Sequence, residues 1–180
     1  MSREIGDPMS TGLAIINYAS YADTPDEAEV LLQEAVQLYQ QTENRTGLAW
    51  AYMNLGNRAL EMGKYPQAKS YNRQSWRIFA DVGARQDLFW PIWGVVQASW
   101  AMGDLDEVKQ LLEETLELMR EWGDLEKIVK ALHFQVMFML ELDNFEQASQ
   151  NYKEAVAILP SIISPLQRAE ALDSVGNMAL

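Results

Sequence analysis

The amino-acid sequence predicts an all-α fold built from stacked pairs of antiparallel helices, and three observations lead to it. Side chains of one size class recur every 40 positions, turn residues recur at the same step, and apolar residues between the turns follow helical spacing. A single helix pair cannot bury its own apolar stripe, so neighbouring pairs must stack and share a core. We therefore expect an α-solenoid of about four and a half repeats.

Several independent columns of residues carry the 40-residue step. Small side chains, large aliphatic side chains and turn residues each keep a column of their own. These columns are Ala28, Ala68, Val108 and Ala148; Ala35, Ser75, Thr115 and Ala155; Leu38, Ile78, Leu118 and Ile158; and Asp23, Gly63, Gly103 and Asp143. Small residues allow two helices joined by a short turn to pack closely, so a Leu at position 68 would cost about 1–3 kcal/mol.

Each repeat is expected to contain two helices. The first helices are predicted at 10–21, 46–62, 87–102, 126–142 and 166–180, and the second helices at 25–41, 65–81 and 105–121. Residues 1–9 are expected to form a tail and residues 10–180 a single solenoid, with repeats at 10–41, 46–81, 87–121 and 126–159 before the final helix. Gly63, Gly103 and Gly123 follow helical patterns, as left-handed C-caps do. Pro91 lies inside a predicted helix, which must begin near Leu88 or bend there.

Composition and charge exclude several classes of function. The 180 residues carry 14 Lys and Arg against 26 Asp and Glu, a net charge of −12, so nucleic acid and anionic membranes are poor partners. There is no cysteine, one histidine, and no phosphate-binding, nucleophile or zinc motif, so we expect no enzyme, cofactor or metal site. No apolar run approaches the length of a signal peptide core or a membrane span, which favours a cytoplasmic protein.

One segment carries a family resemblance. The run Tyr52-Met53-Asn54-Leu55-Gly56-Asn57-Arg58-Ala59, followed by Gly63-Lys64-Tyr65 and Ala68, resembles a tetratricopeptide repeat, and Ala148, Tyr152, Ala155 and Pro160 match the second half of one. The 40-residue step is similar to the long-helix variety found in kinesin light chains and in the sensor regions of bacterial regulators. The resemblance implies a right-handed superhelix whose first helices line a concave groove. Asn72 departs from the pattern, which expects a large residue, and Tyr71 beside it is expected to compensate.

Aromatic and amide residues on the first helices are the candidate groove residues. Trp90, Trp93 and Trp100 share one helical stripe, and Trp50 occupies the position of Trp90 one repeat earlier. A second column consists of Asn17, Asn57, Gln97 and Asn177, with Met137 as its apolar member. Carboxamides can both donate to and accept from the backbone of an extended peptide. The resemblance thus implies a groove formed by Trp50, Met53, Asn54, Asn57, Trp90, Trp93, Gln97, Trp100, His133 and Met137.

Each candidate has a structural alternative. The tryptophans can be core residues between helices, as we expect for Trp76 and Trp122, and the amides can cap or bridge neighbouring helices. The acidic residues of the helix at 105–121 are interpreted as a solvated face. Lys130 is the one prominent cation of the groove columns, which disfavours an acidic tail as ligand.

The predicted function is a non-catalytic scaffold that binds a peptide or helix of another protein. Its ligand is expected to carry apolar anchors with Lys or Arg beside them, because the surrounding surface is acidic. Two alternatives remain open at this point. The chain can self-assemble, for instance as a homodimer through its C-terminal helix, or it can be a sensor segment that binds a small apolar ligand.

Overall fold

The computed structural model describes residues 8–162 and 164–178, which contain nine α-helices and no strand. The expectations for residues 1–7, for the last two positions of the final helix and for the side chain of Asn177 lie outside the described residues. The helices are α1 Pro8–Ala19, α2 Pro25–Gln41, α3 Arg45–Glu61, α4 Tyr65–Asp81, α5 Phe89–Ala101, α6 Leu105–Trp122, α7 Leu125–Glu141, α8 Phe145–Ile158 and α9 Pro165–Met178. Over this part of the chain the prediction of an all-α helical repeat is confirmed, whereas the right-handed superhelix and the single solenoid stay predictions.

Every turn between successive helices from α2 to α8 ends its helix in the same way. One residue per turn has a positive φ, between +54° and +77°, and these residues are 20 positions apart: Glu43, Gly63, Gly83, Gly103, Gly123 and Asp143. The backbone N–H of the next residue donates to the carbonyl five residues back, as from Lys64 to Ala59 at 2.8 Å. The 40-residue repeat therefore consists of two helix-plus-turn units of equal length.

Caps and a short 3₁₀ turn fix where the helices begin. The side-chain oxygens of Asn44, Asp124 and Asn144 each accept a hydrogen bond from the backbone N–H three residues later. Pro91 lies in the first turn of α5, which follows a 3₁₀ turn at Arg85–Asp87. A proline is tolerated there because the N–H groups of a first turn have no helical acceptor.

Contacts divide the chain into two compact units, residues 1–105 and residues 106–180. In the first unit, α1, α2 and α3 share a core that includes Ile16, Leu32, Ala35 and Leu55. In the second unit, the most deeply buried side chains of α6, α7 and α8 include Val108, Met119, Val129, Leu132, Phe138 and Ala155.

Asn72 of α4 is wedged between two glycines in the first unit, where a large residue was expected. It is fully buried, and a Cβ atom at Gly56 of α3 would lie 2.2 Å from its Nδ2 atom, while one at Gly94 of α5 would lie 2.4 Å from its Cγ atom. Its amide donates to the carbonyl of Ala68 at 3.1 Å. Two glycines thus allow α3 and α5 to approach α4 closely, and this sets the packing next to Asn57 and Trp93.

Candidate functional site

An open cleft between α3 and α5 in the first unit brings together four of the predicted groove residues. Its volume is about 310 Å³, and its walls are Asn57, Leu60 and Glu61 of α3 with Trp90, Trp93 and Gln97 of α5. Leu60 and Glu61 follow Asn57 by three and four residues, and Trp93 and Gln97 follow Trp90 by three and seven, so each wall is one helical stripe.

A second open cleft of about 380 Å³ continues the surface towards α1. Ile16, Ala19 and Ser20 of α1, Leu32 of α2, and Asn54, Asn57, Arg58 and Glu61 of α3 line it. Asn57 and Glu61 belong to both clefts, so the two share one wall. We refer to this surface, from Ile16 to Gln97 across the three first helices, as the α1/α3/α5 face.

Two members of the amide column, Asn57 and Gln97, line the cleft between α3 and α5, whereas Asn17 lines neither cleft. Asn17, Asn57 and Gln97 are all exposed, and in the described part of the chain their carboxamides make no hydrogen bond to the protein. Asn54 differs, because its Nδ2 atom donates to the carbonyl of Trp50 at 2.8 Å, within its own helix. The three exposed amides therefore present both donors and acceptors to solvent.

The tryptophans divide into two groups. Trp90 is 43% exposed and Trp93 is half-buried, and both line the cleft. Trp50, which was predicted to face the groove, instead packs edge-on against Phe79 of α4 with ring centroids 5.4 Å apart, and it belongs to the core around Leu55. Trp100 is half-buried, as are Trp76 and Trp122, and it does not line the cleft.

Met53 was also predicted to face the groove, and the structure buries it. Its side chain is 8% exposed, although it occupies the same repeat position as Trp93. A flexible methionine can fold into a gap between helices that a rigid indole cannot enter. Met53 therefore offers little surface to a ligand.

The two predicted groove residues of the second unit, His133 and Met137, have different surroundings. The Nδ1–H of His133 donates to the carbonyl of Ser174 at 2.7 Å, so this residue holds α9 against α7. Met137 is 47% exposed, like the amides of its column.

Lys130 is bound to two carboxylates. Its ammonium group lies 2.5 Å from Glu126 and 3.1 Å from Glu170 of α9. Burial acts to lower the pKa of Lys130, but the hydrogen bonds and charges of the two carboxylates outweigh it and raise that pKa above its ordinary value. The same hydrogen bond from Lys130 lowers the pKa of Glu170. This lysine fastens α9 to α7.

The charge of the α1/α3/α5 face is low and centred on one pair. Arg58 and Glu61 form an ion pair at 2.5 Å, and they are the charged residues among those that line the two clefts. Glu61 is exposed and lines the cleft between α3 and α5 together with Trp90 and Trp93, whereas Arg58 does not line that cleft. Sequence reasoning missed Glu61, although its place four residues after Asn57 puts it on the same helical stripe.

Successive helices packed against one another define an all-α helical repeat over the described residues. The tetratricopeptide repeat family model matches residues 12–81, which span most of α1 and all of α2, α3 and α4. This segment is similar to tetratricopeptide repeats, as predicted, and proteins of that family are generally non-catalytic scaffolds that bind other proteins. No curated protein matches the chain.

Two further observations concern membranes and metals. Among the described helices, none combines the length and apolar character needed to cross a membrane. The described residues also contain no group of three or more His, Asp or Glu side chains placed to hold a metal ion.

Proposed function

We propose that the chain is a non-catalytic scaffold that binds an extended peptide segment of a partner protein on its α1/α3/α5 face. One observation carries the proposal: two exposed carboxamides, Asn57 and Gln97, stand at the same open cleft as two indoles, Trp90 and Trp93. The cleft is open to solvent, which favours an extended ligand over an enclosed small molecule.

The four residues make two different kinds of contact with the ligand. The carboxamides of Asn57 and Gln97 pair with backbone N–H and C=O groups, which supply affinity without regard to sequence. The two indoles hold an apolar side chain, and each ring can bury about 150–250 Å². Glu61 beside them favours a ligand with Lys or Arg next to the apolar anchor.

The test is a binding selection with matched variants. Short random peptides displayed on phage are selected on the full chain, and the affinities of the enriched peptides are measured by fluorescence anisotropy. We expect Trp93→Ala combined with Gln97→Ala to weaken binding by about tenfold or more, because hot-spot aromatics contribute more than about 1.4 kcal/mol.

Phe145 and Gln150 are the controls for the two substitutions. Both are exposed on α8 and neither lines the two clefts. Phe145→Ala with Gln150→Ala should leave the affinity within about twofold, since surface changes away from a site have small effects. Equal affinity of the site variant and the wild type, with the helical circular dichroism unchanged, would overturn the proposal.

A homodimer through α9 is the second candidate. Its support is the exposure of two leucines on this helix, Leu166 at 70% and Leu172 at 52%. Sedimentation velocity over a range of concentrations tests it, with Leu172→Glu as the disrupting variant. A concentration-independent monomer would exclude self-association.

A further inference from the structure

A third cleft, in the second unit, is lined by more charged side chains than the two on the α1/α3/α5 face. Its volume is about 430 Å³, and it lies between α6 and α8 over α7. Glu113, Glu117 and Arg120 stand on the α6 side and Glu154 on the α8 side. None of the predicted groove residues lines this cleft.

Buried amides form its floor. Gln135 of α7 and Asn151 of α8 are each 7% exposed, and both line the cleft. Gln147 donates to the Oδ1 atom of Asn151 at 3.0 Å, Asn151 donates to the Oε1 atom of Gln135 at 3.0 Å, and Gln135 donates to the carbonyl of Leu112 at 3.1 Å. Because an amide oxygen has two lone pairs, Gln135 and Asn151 each keep one for a ligand.

The repeat shows that these amides are not needed for stacking. The positions equivalent to Gln135 hold Leu55, Val95 and Val175, all buried. The positions equivalent to Asn151 hold Leu31, Tyr71 and Leu111. Burying a polar group in place of an apolar one is unfavourable unless it gains a partner. Gln135 and Asn151 are partners of each other, so the two columns change from apolar to polar together.

The charges around the floor favour a cation with several N–H groups. Glu113 and Glu117 are one turn apart on α6, both exposed, and neither forms an ion pair in the described part of the chain. Arg120 binds Glu154 across the cleft at 2.6 Å, so a guanidinium group already fits against one of its carboxylates. The lining has a net charge of −1, because it contains the carboxylates of Glu113, Glu117 and Glu154 and the cations of Lys109 and Arg120.

We propose that this cleft is a second ligand site, and that it binds the guanidinium group of an arginine. Glu113 and Glu117 hold the charge, since a planar guanidinium matches carboxylate geometry. Gln135 and Asn151 accept its remaining N–H groups at the floor. The arginine can be a free amino acid or part of a polypeptide, because both carry the same side chain.

Nuclear magnetic resonance titration of the full chain tests the site directly. The probes are N-acetyl-arginine methylamide, free arginine and N-acetyl-citrulline methylamide, which has nearly the same shape and no charge. We expect both arginine compounds to shift the side-chain amide signals of Gln135 and Asn151 with a dissociation constant on the order of 1 mM. The citrulline compound should bind at least about tenfold more weakly. If N-acetyl-arginine methylamide binds more tightly, the ligand is an arginine within a polypeptide; if free arginine binds more tightly, the ligand is the amino acid.

Variants separate binding from packing. Gln135→Val with Asn151→Leu gives both positions the side chains of their columns, so the chain should remain folded while affinity for the arginine compounds falls at least about tenfold. Glu113→Gln with Glu117→Gln leaves the floor intact and should weaken binding similarly, whereas Glu114→Gln, outside the cleft, should not. Unshifted amide signals, equal binding of citrulline, or full affinity in the variant with both Glu113 and Glu117 replaced would overturn the proposal.

Discussion

Replacing Gly56 by Ala tests whether Asn72 holds α3 and α5 at a fixed separation. The new Cβ atom would lie 2.2 Å from Nδ2 and 2.6 Å from Cγ of Asn72, well inside van der Waals contact. Asn72 cannot move away, because Gly94 closes the other side and the amide is bound to Ala68. A helix must therefore shift to accommodate one methyl group.

The net effect follows from two opposing contributions. Overpacking of a filled core costs about 1–3 kcal/mol, whereas Ala in place of Gly inside a helix returns about 0.5–1 kcal/mol. The difference spans about 0–2.5 kcal/mol. Because the new Cβ atom would lie only 2.2 Å from Nδ2 of Asn72, we expect Gly56→Ala to lower the free energy of unfolding by about 1–2 kcal/mol. For a chain of this size, that corresponds to a melting temperature lower by about 2–8 °C.

Urea unfolding followed by circular dichroism measures the effect in four proteins. These are the wild type, Gly56→Ala, Asn72→Ala and the double variant. When Asn72→Ala is already present the steric conflict is absent, so Gly56→Ala should become neutral or stabilising, with a coupling free energy of about 1 kcal/mol or more. Additive effects, or a more stable Gly56→Ala single variant, would refute the role of Asn72 as a wedge.

Three further predictions concern stability. Ser75→Ala should stabilise the chain by about 1 kcal/mol in urea unfolding, because the buried hydroxyl has no hydrogen-bond partner in the described structure; a loss would contradict this. Asp143→Gly should raise the free energy of unfolding by about 1 kcal/mol, because glycine adopts a φ of +56° without strain; an unchanged free energy of unfolding would contradict this. For Glu170, whose pKa is lowered by Lys130, the stabilisation is present above its ordinary pKa and is lost as the pH falls through the lowered value. Glu170→Gln should thus lower the melting temperature at neutral pH and not in strong acid, and an equal loss at both would exclude the ion pair as the cause.

The helices and turns could be predicted from the sequence because each repeat reports the same physical constraint. A turn that needs a residue with positive φ has glycine there, as at Gly63, Gly103 and Gly123. These glycines indicate where one helix ends and the next begins. Glu43 and Asp143 adopt the same conformation without glycine, so glycine marks only four of these six turns. At the turns of Glu43 and Asp143 the residue type alone does not indicate a positive φ.

The site was harder to predict, since exposure depends on which neighbour fills a gap. Trp50 and Trp90 share a repeat position, yet Phe79 packs against the first ring and the second lines a cleft. Met53 and Trp93 differ in the same way, one buried and one half-exposed. The column of residues alone cannot specify these contacts, because they depend on side chains of the next helix.

Departures from the repeat distinguish structural from binding positions. Where a column keeps its character in every repeat, as Ala28, Ala68, Val108 and Ala148 do, packing alone explains the residue. Where a column holds amides that stay exposed, as at Asn57 and Gln97, packing gains nothing from them. Where an apolar column turns polar and buried, as at Gln135, apolar packing is lost, and the hydrogen bonds to Leu112 and Asn151 offset part of that loss. By this reasoning the two proposed sites differ in chemistry: the first has amides and indoles for a peptide, and the second has amides and carboxylates for a guanidinium group.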